Sequence, residues 1–528
     1  MVRYQSAFAN FGFVTGRKGA PACLAALSVL LWVCAASPSA LRAQAVHHHY
    51  VAIDLGTLGG PDSNGCVPDC RSLNNLGDAA VIASTAAPDP FPNDPFSYGY
   101  VDLGVNWQNG VSITLNALQP GYSSFPFWLS DTGLVAGISE NGKIDPTTGF
   151  PEAIATAWFF GLPINLGTLG GNASTAEAVN NAGQVVGGAA NQTADPFAGP
   201  FYNVAPNPNI PNLDVLYYPS LYWPVTTETH AFLWQFGRMR DLGTLGGTDS
   251  LAVGINDAGQ IIGYSFTNTT PNPMTGEPTL HPFLWNGGAM RDLGSLGGTM
   301  GMSTSINDYG HVTGWSNLAG DTAYHPFLWD GHGMTDLGTL GGDNGEAIWI
   351  NNKGQIAGYA EVAGNATHHA FLWENGRMTD LGADPGDTCS TAYALNSLGQ
   401  VVGFSGQSAG PGPLCGGHPF FWENGGPAVD PTTLYPPLPN GLTLGGLCCI
   451  NDLGEMLGYG GLPNGGEHAM LIVPCDENHP DVEGCDYSLT FGLATTPHDD
   501  AISPPTVPAG DSGKPLGRWR KRGVSQIR

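Results

Sequence analysis

Positive charge is what this 528-residue chain has least of: 17 Lys and Arg stand against 44 Asp and Glu, a formal net charge of −27. Nucleic acid is excluded as a partner because its phosphates would be repelled, whereas such a surface suits a soluble secreted protein. Long apolar runs are almost as scarce. The longest, "ACLAALSVLLWVCAAS" at 22–37, is shorter than the roughly 20 residues a spanning helix needs, so no transmembrane segment is expected. The sequence has no HExxH, no phosphate-binding loop, no EF-hand loop and no CxxC spacing, which removes the compact signatures of zinc hydrolases, nucleotide binding, calcium binding and zinc modules. No cofactor is expected.

Glycine and proline are abundant instead. With 77 Gly and 42 Pro the chain is interrupted too often for a helical protein, while 42 % hydrophobic and 10 % aromatic residues suffice for a core. The apolar run follows Arg3, Arg17 and Lys18 and precedes "ALRAQA", which ends at Ala45. That layout is a secretory signal peptide over residues 1–45. A secreted, extracellular or periplasmic location follows, and with it an oxidising compartment for the eight remaining cysteines. Cys66 with Cys70, Cys389 with Cys415 and Cys475 with Cys485 are candidate local disulfides; Cys448 and Cys449 stay unassigned.

The body of the chain repeats itself. "HAFLWQFGRMRDLGTLGGTDSLAVGINDAGQIIGYS" (230–265) is followed by "HPFLWNGGAMRDLGSLGGTMGMSTSINDYGHVTGWS" (281–316), and further copies begin at His325, His369 and His418. The Asn of the "IN" step recurs at Asn256, Asn307, Asn351, Asn396 and Asn451, and earlier at Asn74 and Asn180, with "LSDTG" (129–133) in the same role between them. These are eight copies with a core period near 44 residues. Each holds four strand signals: alternating "HAFLW", a Gly-containing hairpin, "RMTDLG", an "LGG" step, "SLAVGIN", and a second hairpin into "QIIGYS". A four-stranded unit of this length, repeated radially, predicts an all-β propeller of eight blades, with seven as the alternative count. The first copy opens at "YVAIDLGTLGG" (50–60) without its "HAFLW" strand, and "HAMLIVP" (468–474) is that strand alone. Pairing of the N- and C-terminal strands is therefore expected to close the ring, the C-terminal strand completing the N-terminal blade. The expected organisation is a signal peptide (1–45), the propeller (46–475) with an insertion at 191–229, a disulfide-closed loop (476–493) and a disordered tail (494–528) ending in the basic "RWRKR".

"HAFLW", "DLGTLGG" and "IN..GQVVG" together resemble the signature of the extracellular HAF-repeat proteins, over about residues 50–474. The resemblance implies a secreted, propeller-like repeat protein and brings no activity or catalytic residues. The second copy departs from it, because "VNWQNGVSITL" (105–115) lacks both the His and "DLGTLGG".

The recurring side chains read as structure. His230, His281, His325, His369, His418 and His468 are expected to hydrogen-bond within their blades to a recurring Ser or Asp, since buried polar groups are normally paired. Trp234, Trp285, Trp329, Trp373 and Trp422 are expected in the core. Asp54, Asp241, Asp292, Asp336 and Asp380 read as turn residues, and Ser408 in "GQSAG" lacks the helix a nucleophile elbow requires. No metal site is expected, although cleavage after Ala45 would leave Val46-His47-His48, whose His48 at position three could join the free amine in holding copper. Function is expected where the copies differ. The connection 191–229 carries Phe197, Phe201, Tyr202, Tyr217, Tyr218, Tyr222 and Trp223, aromatic platforms suited to a glycan or protein ligand. The leading expectation is a non-enzymatic binding or scaffold protein using inter-blade insertion loops. The alternatives are a glycan-active hydrolase or lyase with carboxylates at the propeller mouth, and a structural envelope or matrix component. Nothing in the sequence indicates an oligomeric state.

Overall fold

The computed structural model describes residues 49–485 except 67–70, 92–98, 147–148, 150, 198–224, 274–275, 409–414, 424 and 481. Residues 1–45, read above as a signal peptide, His48, Cys70, residues 494–528, and all of the aromatic insertion residues but Phe197 lie outside the described residues.

Among the described residues, every element apart from one short 3-10 helix (Pro431–Thr433) is a strand. No helix of the described residues is long and apolar enough to cross a membrane. Successive antiparallel units of three or four strands follow the repeat. The first three span 59–115, 124–165 and 174–241; the next three, 250–292, 297–336 and 341–382, are joined into one 12-stranded sheet. That joining consists of single parallel pairs, Leu280 with Met300 and Tyr324 with Asn344, so each unit keeps its own identity. The seventh unit has three strands, Cys389–Leu395, Val401–Ser408 and Cys415–Trp422. The eighth is built from Thr443–Ile450, Met456–Gly461, Glu467–Pro474 and the N-terminal strand Tyr50–Asp54. The architecture is propeller-like.

Local chemistry explains the unit. Asn375 and Gly376, with φ of 52° and 81°, form the tight turn into the outer strand. A bulge shifts the register of the first strand between Ala252 and Gly254. There the facing Gly263 packs so closely that a Cβ would lie 1.8 Å from the Leu251 carbonyl oxygen, and the repeat keeps Gly at that place. Both faces of the "HAFLW" strand are buried: Ala231, Phe232 and Leu233 are all less than 7 % exposed. Trp285, Trp329 and Trp422 are buried as well, with Trp234 and Trp373 half-buried beside them.

Two features differ from the sequence reading. The unit starts two strands later than the repeat phrase suggests, because hairpins hold "SLAVGIN", "QIIGYS" and the next "HAFLW" and "DLG" together while the "LGG" step carries the chain onward. Residues 50–54 therefore complete the last unit, not the first, with Tyr50 opposite Pro474 and Asp54 opposite Met470. For the same reason the 191–229 insertion lies inside the third unit, between Val185–Ala194 and Thr227–Gln235, not between blades. The segment 105–115 falls into place as the end of the third strand (Tyr100–Gln108) and all of the fourth (Val111–Leu115) of the first unit.

The cysteines show a second difference. Cys389–Cys415 and Cys475–Cys485 are disulfides, but Cys66 bonds Cys448, 382 residues away, in place of the nearby Cys70. The first and eighth units are adjacent in space, which brings these two residues together, and sequence proximity carries no information about that. Three disulfides fit an oxidising, extracellular or periplasmic environment. Cys449 lies outside these three, buried, its sulfur 3.8 Å from that of Cys448.

Candidate functional site

The repeat Asn saturates its side chain. Asn351 Oδ1 accepts the backbone N–H of Lys353 and Gln355, while its Nδ2 donates to Gln355 Oε1 and, 2.9 Å away, to the carbonyl of Asn396 in the next unit. Asn is suited to this place because its amide both accepts and donates twice. The same inter-unit bond runs from Asn180 to Asn256, Asn256 to Asn307, Asn307 to Asn351 and Asn396 to Asn451. Asn451 then donates to Asn74 and Asn74 to Ser130. Ser130 has no amide, and the second and third units are linked instead by Asn181, which accepts from Asp131 N–H and donates to its carboxylate.

These positions from all eight units line one cavity of about 300 Å3, rimmed by Asn75, Asp131, Asn181, Asp257, Asp308, Asn352, Ser397 and Asp452. Its floor is Arg71. The guanidinium sits 4.2 Å from the ring centroids of both Trp128 and Trp349 and donates to Ser305 Oγ at 2.8 Å. A cation held between two indoles is a stable partition.

Beyond it lies a second chamber of about 310 Å3 that shares Arg71, Trp128 and Trp349 as lining residues. Its walls carry Tyr264, Met302, Trp315, Tyr393 and Phe404, with the carboxylates of Glu177 and Glu346. Tyr393 and Phe404 are half-buried and meet edge to face at 5.5 Å, while Trp315 and Glu346 are buried. Thr175 Oγ1 donates to Glu177, and Tyr359 donates its hydroxyl to Glu346. Burial, followed by the nearby Tyr324 and Glu346, pushes the Tyr359 hydroxyl well above its ordinary range, so it remains a donor. In each unit the first and second strands meet at the Asn rim. The second strands end at the opposite edge, where the chain leaves for the third.

The chamber was hidden in the sequence, yet a signal exists. Arg71, Glu177, Val253, Thr304, Ile348, Tyr393 and Cys448 all stand three residues before the Asn, or its counterpart, of their own units. The repeat fixes the Asn and leaves this position free to vary. Phe197 is set apart from the chamber lining, packed edge-on to Phe266 at 6.3 Å.

The recurring His and Asp meet each other. His230, His281, His325 and His369 place Nδ1 within 3.1 Å of both carboxylate oxygens of Asp241, Asp292, Asp336 and Asp380, and His468 does the same with Asp54. Each Asp also accepts the N–H two residues on, fixing the turn. Burial pushes the Asp241 carboxyl up, but bonds from His230 and Gly243 outweigh it and hold the group below its usual range. His418 departs from the pattern: its ring faces Asp387 and Asp384, from the connection before its own unit. Burial pushes Asp384 up to about 6, with His418 opposing and Asp430 and Asp387 adding to the rise. Ser408 ends a strand, its N–H bonded to Thr388, with no helical elbow in the described residues.

No protein-family profile matches the chain, and no curated protein matches it. Among solved structures it is similar to Porphyromonas gingivalis dipeptidyl peptidase 4, at 11 % identity and a TM-score of 0.31; the match covers 77 % of this chain and 64 % of that one.

Proposed function

We propose that this is an exported, closed eight-bladed propeller of the HAF-repeat type that binds the end of a glycan in its second axial chamber, as a non-enzymatic recognition protein. The Asn-to-carbonyl bond that returns from Asn451 to Asn74, the Cys66–Cys448 bridge and the pairing of strand 50–54 with strand 467–474 support closure. The observation that carries the binding reading is the chamber wall, where aromatic rings and two carboxylates stand at positions the repeat leaves variable. Aromatic faces take the C–H faces of sugars, and carboxylates accept their hydroxyls. The volume lies at the small end of the ligand-pocket range of about 300–1,000 Å3, which suits a chain end.

The presence of Glu177 and Glu346 in one chamber favours a second reading, a glycan-active hydrolase using them as paired carboxylates. A glycan array and a polysaccharide pull-down of the secreted form test both, run beside Tyr393→Ala and a variant lacking 191–229. The expected result is binding that falls at least about tenfold in Tyr393→Ala, the scale of one lost stacking contact, with an unchanged circular dichroism spectrum. Release of shortened product from a bound glycan would establish the hydrolase. Absence of binding by the parent, or binding lost only in the loop variant, would overturn the chamber as the recognition site.

A further inference from the structure

The seventh unit breaks the repeat twice at one spot. In the five other units that carry a His on the third strand, it is occupied by the Asp of the fourth. Here no fourth strand is found among the described residues: Val429 bridges back to Phe421, and the acid that follows, Asp430, caps the short 3-10 helix by accepting from Thr432 N–H at 2.8 Å. His418 is thereby released from its usual partner.

The second break supplies replacements. In the fourth and fifth units the residue whose N–H donates to the Ser at the end of the second strand is Leu245 or Leu296, bonded to Ser265 or Ser316. In the seventh unit that residue is Asp384, bonded through its N–H to Ser405 at the same 2.9 Å. A carboxylate thus occupies a place built for leucine. Asp384 is 5 % exposed, and neither of its carboxylate oxygens has a hydrogen-bond partner; His418 Nδ1, 3.5 Å from Asp384 Oδ2, has none either. Asp387 follows on the same turn, held by Ser405 Oγ at 2.8 Å and lying 2.8 Å from His418 Nε2. One ligand atom from each of the three residues lies within 4.8 Å of the others.

The geometry points to a divalent transition-metal site, of the kind zinc occupies, formed by Asp384, Asp387 and His418 at the edge of the seventh unit. A buried carboxylate with both oxygens unpartnered costs stability unless a cation or donor meets it. One imidazole and two carboxylates match the borderline preference of zinc, at bonds of about 2.0–2.2 Å, and leave a fourth position for water. Ser405 serves as the outer support that orients Asp387. The other nearby cluster, His368 with Cys389 and Cys415, offers no such site because both sulfurs are spent in the disulfide.

The test is calorimetric titration of the chelator-stripped secreted protein with zinc chloride, with calcium chloride in parallel, and a cobalt(II) absorption spectrum. One equivalent of zinc at micromolar affinity or better, a raised melting temperature and a visible cobalt band of low-coordinate type are expected. Asp384→Asn and His418→Gln should each weaken zinc binding at least about tenfold, the least that losing even a residue supporting a ligand costs a metal site. His418 is half-exposed, so its variant is expected to fold. No zinc binding by the parent, or equal binding by both folded variants, would refute the site; the latter result would place the metal elsewhere, as on residues 47–49. Calcium binding unaffected by His418→Gln would refute the imidazole's role and with it the proposal.

Discussion

At the scale of single residues, the strongest constraint falls on the Asn of the hairpin. Replacing Asn351 with Ala removes an oxygen that accepts twice and an amide nitrogen that donates twice, and leaves the N–H groups of Lys353 and Gln355 and the Asn396 carbonyl without their partner. Each polar group left unsatisfied costs about 1–3 kcal/mol, and water relieves part of that at the rim, so a loss of about 3 kcal/mol is expected. Chemical denaturation measures it; a change under about 0.5 kcal/mol would show that neighbouring groups re-pair. Trp329, 5 % exposed, belongs to the core in the ordinary way, and Trp329→Ala should cost about 3–5 kcal/mol. The two residues fail differently: truncating the indole leaves a cavity, truncating the amide unlinks two units.

At the scale of elements, the decisive piece is the joint between the chain's two ends. His468 and Asp54 repeat the pairing found within other units, although 414 residues separate them, so the first strand is locked in as an ordinary fourth strand. The Cys66–Cys448 bridge encloses a loop of nearly the whole body, and loop-closure entropy at a separation of 382 residues predicts a stabilisation of about 6 kcal/mol. The double substitution Cys66→Ser with Cys448→Ser should therefore lower the melting temperature by more than loss of Cys475–Cys485, which closes a separation of only 10; equal shifts would mean that the strand pairing alone sets the joint. Much of this level was legible in the sequence. Strand count, hairpin positions and the joining of the two ends follow from periodicity and Gly placement, which are local. The phase of the unit was not, because "LGG" and "NDAG" both read as turns and only packing shows which one crosses between sheets. Nor was the Cys66 partner, since the first and eighth units are far apart in sequence and neighbours in space. The chamber was not legible because the lining residues that do share a place in the repeat, three before the Asn, have nothing in common chemically.

At the scale of the whole molecule, charge and burial combine into a pH dependence. Burial pushes Asp249 and Asp384 up to about 6 and Glu277 up to about 7. Their ordinary values lie near 4, so between about pH 4 and 7 the folded chain holds protons that the unfolded chain has released, and stability falls as pH rises through that interval. His479 extends the same slope. Burial lowers it, but bonds to Asp476 and Glu455 prevail and raise it from 6.5 to about 9; its contribution is complete below about 6.5 and fades as pH rises through about 9. Below about pH 4 the sign reverses, because Asp241, Asp292, Asp380 and Asp476 are held below their usual range and lose that stabilisation on protonation. The formal charge of −27 adds self-repulsion at neutral and alkaline pH. His368 opposes this slope below about pH 6.5, because burial holds it down at about 4 and the unfolded chain takes its proton first; a stability maximum near pH 5 follows, with a higher melting temperature at pH 5 than at pH 8. His479→Gln should flatten the limb between about pH 6.5 and 9 and leave the limb below it intact, because the buried carboxyls act independently of the C-terminal loop. A melting temperature that rises from pH 5 to pH 8 would mean that these carboxyls are ionised in the folded state, with a counter-charge beside them. At Asp384 that counter-charge is what a bound metal would supply, so repeating the profile with and without zinc separates the carboxyls that burial alone protonates from the one that a cation holds ionised.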